Sequence, residues 1–182
     1  DDHAVGSHTL YEYDAEGNKT FEGYTTLDSA GQRLFHQYSE IEYDELNRPV
    51  RIHDPRFDIR YQYDPVGNRR RVHSYYHDGI DGTRRHQDYW YRYDALNRFV
   101  ISKGSLQDGA VETGRYGVAV LYNGAGERVA ARYGRDQHQE HYRYDANGHL
   151  TDTDINGVLR SRRHNDLLGR ALNYTEYAAN GV

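Results

Sequence analysis

Aspartates recur along this sequence at places where a carboxylate could serve as an acid, a base or a metal ligand. Asp14, Asp28, Asp44, Asp64, Asp94, Asp145, Asp154 and Asp166 each stand three residues before a Gly or Asn, at Gly17, Gly31, Asn47, Gly67, Asn97, Gly148, Gly157 and Gly169. That spacing is the signature of a turn. An Asp at the first position accepts hydrogen bonds from backbone N–H groups two residues on, and Gly or Asn at the fourth supplies the left-handed conformation that closes it. These carboxylates are therefore expected to be structural.

Other groups also suggest chemistry by their type. Asp152-Thr153-Asp154-Ile155-Asn156-Gly157 matches the first six positions of a calcium loop, yet the twelfth, which needs a bidentate Glu, is the cation Arg163. His138-Gln139-Glu140-His141 lacks the i,i+4 spacing of a helical zinc site. Neither a Gly-x-Ser-x-Gly elbow, a phosphate-cradling glycine loop nor any Cys is present. No metal, cofactor or catalytic residue is expected. Tyr89, Trp90, Tyr91 and Tyr93 form the densest aromatic stretch, a candidate ligand-binding surface because aromatic faces stack on sugar rings. Packing of the sheet explains the same alternation.

The elements that must position these residues are short strands. In Tyr91-Arg92-Tyr93-Asp94-Ala95-Leu96-Asn97-Arg98-Phe99-Val100, Tyr91 and Tyr93 share one strand face, Asp94 opens a four-residue turn and Arg98 to Val100 start the return. The unit is a β-hairpin. Copies of Tyr-x-Tyr-Asp begin at Tyr11, Tyr61, Tyr91 and Tyr142, and Ile41-Glu42-Tyr43-Asp44 carries Ile for the first Tyr. The turns at Asp28, Asp154 and Asp166 lack it, Asn123-Gly124-Ala125-Gly126 substitutes Asn for Asp, and Tyr177 to Gly181 reads as a decayed copy. Successive turns lie 14, 16, 20, 30, 29, 22, 9 and 12 residues apart, too irregular for a solenoid of fixed period.

Composition agrees with a sheet protein of unusual interior. The 182 residues contain 19 Tyr and 4 Phe, so aromatic area replaces aliphatic area, and phenol groups make its margins polar. A formal net charge of −5 gives no electrostatic case for nucleic acid. Lys19 and Lys103 are the only lysines among 23 basic residues, a bias that suits Arg stacking on Tyr and forking to Asp and equally fits a GC-rich genome. No apolar run approaches the ~20 residues of a membrane-spanning helix. Residues 1–10 read as a flexible leader and 11–182 as one repeat array, with loops expected at His53 to Asp58 and Gly104 to Gly114. The stretch from His77 to Gln87 fits either a loop or a hairpin. No helical periodicity persists past two turns, so the fold class is all-β, a series of consecutive antiparallel hairpins.

The Tyr-x-Tyr-Asp-x-x-Gly/Asn unit resembles the YD repeat of RHS-type proteins, which include bacterial polymorphic toxins, the B and C parts of insecticidal toxin complexes and animal teneurins. The resemblance implies a curved or spiralling sheet, a segment of the wall of a hollow β-shell, non-enzymatic, enclosing or presenting a toxin polypeptide. Its partners would be the remaining repeats of a longer chain and the enclosed polypeptide. The alternative is a module that binds a glycan or a cell-surface receptor. Secretion or display on a bacterial surface is implied. Nothing after Tyr142 matches the Asp-Pro-x-Gly self-cleavage segment that ends toxin-enclosing members, and the absence of Met fits a fragment of wall whose open edges invite pairing.

Overall fold

A computed structural model describes residues 6–178. Those residues form fifteen strands and no helix. The chain divides into two compact units, Asp1–Asp88 and Tyr89–Val182. The first contains β1 (Gly6–Tyr13), β2 (Lys19–Leu27), β3 (Arg33–Tyr43), β4 (Pro49–His53), β5 (Phe57–Tyr63), β6 (Arg69–His77) and the start of β7 (Arg84–Tyr93). These strands pair in sequence order as a meander. The second unit continues β7 and adds β8 (Phe99–Gln107), β9 (Ala110–Glu112), β10 (Val118–Tyr122), β11 (Arg128–Tyr133), β12 (Gln139–Tyr144), β13 (Leu150–Ile155), β14 (Val158–Asn165) and β15 (Ala171–Glu176). It too is antiparallel and runs in order, with β9 folded back on β8 and β10 taking the next place on the sheet.

Because successive turns of a meander fall on opposite edges, the turns at Asp14, Asp44 and Asp64 share one edge of the first unit. Those at Asp94, Asn123, Asp145 and Asp166 share one edge of the second. Every hairpin closed on these edges carries the same irregularity. Tyr13 pairs with Lys19 while Glu12 pairs with Phe21, and Tyr144 pairs with Leu150 while Arg143 pairs with Asp152, so the sixth residue after the Asp is left over as a bulge. A bulge at a fixed place increases strand twist and pins the register.

Register between hairpins follows one rule as well. Arg51 pairs with Arg60, Phe21 with Glu40, Ala130 with His141 and Asp152 with Arg162. Counting outward from each pair, the fifth residue after one turn Asp or Asn falls opposite the second residue before the next turn on the same edge.

The buried apolar side chains, Trp90, Ile101, Val120, Ala131 and Tyr142, all belong to the second unit. In the first, Ser74 and Gly23 are the buried positions among the described residues. Aliphatic tips stand out at the turns, as at Leu46, Val66, Leu96 and Leu168.

Several expectations are revised. Gly6 to Leu10 of the anticipated leader lie in β1, paired with β2, and residues 1–5 are outside the described residues. The stretch from Gly104 to Gly114 is the end of β8, a tight turn at Asp108-Gly109 and β9, because Asp108 and Gly109 both adopt positive φ (49° and 82°). Of the two readings open for His77 to Gln87 the hairpin is the one that forms, closed through Gly82 N–H to Asp78 C=O at 2.9 Å. Asp154 lies within β13, and the chain reverses instead at Asn156-Gly157, with φ of 51° and 82°. Two consecutive left-handed residues favour a two-residue hairpin over the four-residue turn. The decayed copy at Tyr177 to Gly181 falls mostly outside the described residues.

Where the second unit's far edge turns, glycines permit contact that no side chain could. Gly134 N–H donates to Gly117 C=O at 3.0 Å, and a Cβ on Gly134 would fall inside the Gly114 carbonyl. Gly134→Ala is expected to destabilise the chain by about 1–3 kcal/mol through overpacking. Urea unfolding followed by circular dichroism measures it.

Candidate functional site

Each Tyr-Asp turn is built from the same bonds. At Asp94 the backbone N–H donates to Arg98 C=O at 2.9 Å and the C=O accepts from Asn97 N–H at 3.0 Å. The carboxylate Oδ1 accepts the N–H groups of Leu96 (2.9 Å) and Arg98 (3.0 Å), and Oδ2 accepts Arg98 Nε at 2.8 Å. Asn97 closes the turn at φ 60°, a value that Asn tolerates better than most residues. The arrangement recurs at Asp44 with Arg48, at Asp64 with Asn68, at Asp14 with Asn18 and at Asp166 with Arg170. At Asp28 the carboxylate takes the N–H groups of Ala30 and Gln32, and at Asp145 those of Asn147 and His149. Bonding from Arg48 and Arg98 holds the carboxyls of Asp44 and Asp94 below the usual range, against the opposing effect of burial.

The partner four residues after the Asp was not singled out from the sequence, although it is legible there. Arg48, Asn68, Arg98 and Arg170 each bring a side-chain donor to the carboxylate. Where Asn123 replaces Asp, the polarity reverses: Asn123 Nδ2 donates to Glu127 Oε2 at 2.6 Å, while Oδ1 still takes the N–H groups of Ala125 and Glu127 at 3.0 Å.

At four turns the Tyr before the Asp or Asn ties its turn to the previous one on the same edge. Tyr43 OH donates to Lys19 C=O (3.0 Å), Tyr63 OH to Pro49 C=O (2.8 Å), Tyr122 OH to Phe99 C=O (3.3 Å) and Tyr144 OH to Arg128 C=O (2.8 Å). The acceptor is always the fifth residue after the preceding turn Asp or Asn on the same edge. At the Asp166 turn, which has no Tyr, Asn165 Nδ2 makes the equivalent bond to Leu150 C=O at 3.0 Å. Guanidinium groups add a second tie: Arg48 lies over the Tyr63 ring at 4.5 Å and Arg98 over Tyr122 at 4.3 Å. Asn18 Nδ2 also donates to Asn47 Oδ1 at 2.8 Å between neighbouring turns.

The aromatic candidates lie together on β7, but they do not make an open platform. Trp90 is 9% exposed and pairs with Gly104, while Tyr89, Tyr91 and Tyr93 are half-buried, and Lys103 Nζ sits 5.7 Å from the Tyr89 ring centre. The calcium-like carboxylates are engaged by cations. Asp154, 5% exposed, accepts from Arg143 at 2.8 Å and pairs with His141 Nδ1 at 3.0 Å; Asp152 pairs with Arg162 at 2.8 Å. Glu140 accepts the hydroxyls of Tyr133 and Tyr142 and lies 3.0 Å from His138 Nε2, so that His138 and His141 serve separate carboxylates. Burial, reinforced by this bond, pushes the Tyr142 phenol well up. Among the described residues, no group of three or more His, Asp or Glu is placed to hold a metal ion, and no helix is long and apolar enough to cross a membrane.

In the first unit Arg51 bridges three strands, donating to Asp58 of β5 at 3.0 Å and to Glu42 of β3 at 2.9 Å. Arg71 forks to Asp88 at 2.6 and 2.7 Å. Asp58 is drawn down to about 2, first by Arg51 and, against burial, also by Arg60.

No protein-family model matches the sequence, and no curated protein matches it significantly. Among solved structures, the chain is similar to the Photorhabdus luminescens Tc holotoxin pore with a mutated TccC3, at 15% identity and TM-score 0.48 over 92% of this chain. It is also similar to a crystal structure of TcdB2-TccC3-Cdc42, at 15% identity and TM-score 0.42 over 95%, and to one of TcdB2-TccC3-TEV, at 12% identity and TM-score 0.34 over 94%. This chain spans only 9% to 12% of the length of those chains.

Two outcomes follow from the bonding. Asn123→Asp sets two carboxylates against each other and lowers the urea midpoint, and adding Glu127→Arg recovers it by rebuilding the pair seen at Asp94; a double-mutant cycle reads the coupling. For Asp58, the folded pKa lies below the unfolded value of about 4. Its contribution is therefore complete above pH ~4 and is lost as pH falls toward ~2. Urea midpoints taken between pH 5 and pH 2 should fall, and Asp58→Asn should flatten that fall.

Proposed function

We propose that this chain is a non-enzymatic scaffold, a stretch of repeat wall that encloses or presents a polypeptide within a larger secreted assembly. The observation that carries this reading is the coupling of the turns at Asp44, Asp64, Asn123 and Asp145 to the one before on the same edge through a hydroxyl-to-carbonyl bond. A structure held together in this way grows by adding hairpins and gains nearest-neighbour stability at each step. It does not depend on a large interior.

Other features support the same reading. The few buried apolar side chains leave most of the sheet surface available to neighbouring material, and a sheet face is ordinarily covered by another layer. The carboxylates most suggestive of chemistry are held by Arg or by backbone N–H groups of their own turns, and Trp90, the ring on which a sugar would stack, is buried. The Tyr-x-Tyr-Asp resemblance supplies the nature of the assembly: the wall of a toxin-type shell, whose remaining repeats belong to a longer chain.

The test is protease protection in the longer chain that this reading requires. A polypeptide carried by that chain should resist digestion, and should become digestible when Asp94→Ala and Asp145→Ala remove the carboxylates from two turns. Equal digestion of the polypeptide in the unaltered chain overturns the reading.

A further inference from the structure

Strand pairing and ring contacts place every described histidine of the first unit on one face of its sheet. His8 lies opposite Thr25 and Thr25 opposite His36, while Glu40 lies opposite His53 and His53 opposite Asp58, which in turn lies opposite Tyr75. Alternation along β3 and β6 joins these pairs and adds His73 and His77, and ring contact adds His86. The opposite face carries Ile41, Ile52, Ile59 and Val72.

Where β6 meets the start of β7, two of the imidazoles touch. The His73 ring centre lies 4.9 Å from that of His86, and the Tyr75 ring lies 4.8 Å from His86 and 5.0 Å from His73, so the three form one cluster. Cations surround it. Arg60 of β5 lies opposite His73, Arg71 stands two residues before His73 on β6, and Arg84 of β7 covers the Tyr75 ring at 4.4 Å. The carboxylates nearby are already engaged, Asp88 of β7 by Arg71 and Asp58 of β5 by Arg51 and Arg60. Among the described residues, neither His73 nor His86 makes an ion pair with a carboxylate. Burial holds the His73 imidazole below its ordinary pKa, and Arg71, His86 and Arg60 reinforce this against the pull of Asp88.

The second unit is arranged the opposite way. His138 lies 3.0 Å from Glu140, His141 3.0 Å from Asp154 and His149 3.3 Å from Asp145. Protonation there adds attraction, whereas at His73 and His86 it adds repulsion. The first unit has one pair of the favourable kind, His53 with Glu40 at 2.8 Å, and it joins β4 to β3 instead.

We propose that the join of β6 with β7 is an acid-labile latch: protonation of His73 and His86 together loosens β7 from β6 within the first unit, while the imidazole–carboxylate pairs of the second unit keep its strands in place. The sign follows from proton uptake. His73 binds a proton less readily in the folded chain than in the unfolded one, so the stability it lends is complete above the unfolded value of about 6.5 and is lost as pH falls from there toward the folded value. This latch goes beyond the wall reading and does not depend on whether a polypeptide is enclosed; in a wall it sets where acid opens the sheet first.

Amide hydrogen exchange of the whole chain, corrected for intrinsic rates and compared at about pH 7.5 and about pH 5.5 on either side of the imidazole range, tests the latch. Protection of β6 and of the start of β7 should fall roughly ten-fold at the lower pH, the equivalent of one pKa unit, while that of β12 and β13 holds or rises. His73→Phe keeps a ring against Tyr75, removes the titrating group and abolishes the fall. His86→Glu, at an exposed position, supplies the carboxylate that Glu140 supplies to His138 and turns the fall into a gain, so it reads the sign even where the first variant disturbs packing. A fall of the same size in both units, or one that persists in either variant, overturns the proposal.

Discussion

Reversing a strand in four residues strands several backbone N–H groups, and the structure depends on how these are satisfied. A turn closed by one backbone hydrogen bond leaves the amides at its second and fourth following positions without a ladder partner. Asp94 supplies both from a single oxygen and keeps the other for Arg98. An unpaired backbone donor costs more than a typical hydrogen bond contributes, so the carboxylate acts chiefly by preventing a loss. Asn123 shows which part of the chemistry is essential: its amide oxygen makes the same two bonds without a charge, and Glu127 supplies the complementary partner.

Tyrosine extends this local solution over distance. Its ring lies on the sheet while its hydroxyl reaches a carbonyl at the start of a strand in the preceding hairpin, so one residue both covers surface and fixes the spacing of two turns. Asn165 shows that the amide-bearing side chain of Asn can replace the bond, though it offers no aromatic face. Arginine fits the same frame because a planar guanidinium can accept a ring on one side while it forks to a carboxylate at its edge, which an ammonium cannot. The strong preference for Arg over Lys therefore has a structural use in Arg48 and Arg98.

Charge is distributed so that acids meet cations across strands. Arg51 between Asp58 and Glu42, Arg71 with Asp88, and Arg143 and Arg162 about Asp152 and Asp154 are cross-strand pairs in which, Asp154 apart, the groups are exposed or half-buried. Such pairs contribute modestly one by one. Together they select register, because a slip of one residue would carry every one of these side chains to the opposite face.

By itself the sequence determined what depends on residues near each other in the chain: all-β class, antiparallel hairpins, and the places where most strands reverse. The reason is that an Asp, a Gly or Asn at its third following position and a donor at the fourth interact within one turn, where spacing and geometry are nearly the same thing. Tertiary structure decided the rest. The hydroxyls of Tyr63 and Tyr122 reach backbone carbonyls 14 and 23 residues away, and a carbonyl has no identity in the sequence that could mark it as the acceptor. Asp154 carries the turn pattern but lies in a strand, because Asn156-Gly157 reverses the chain first and leaves that carboxylate to Arg143 and His141. Trp90, in a stretch that could equally cover a sugar or a sheet, came to rest buried opposite Gly104, whose missing side chain makes room for the Glu112 carbonyl and the side chains of Ile101 and Val111.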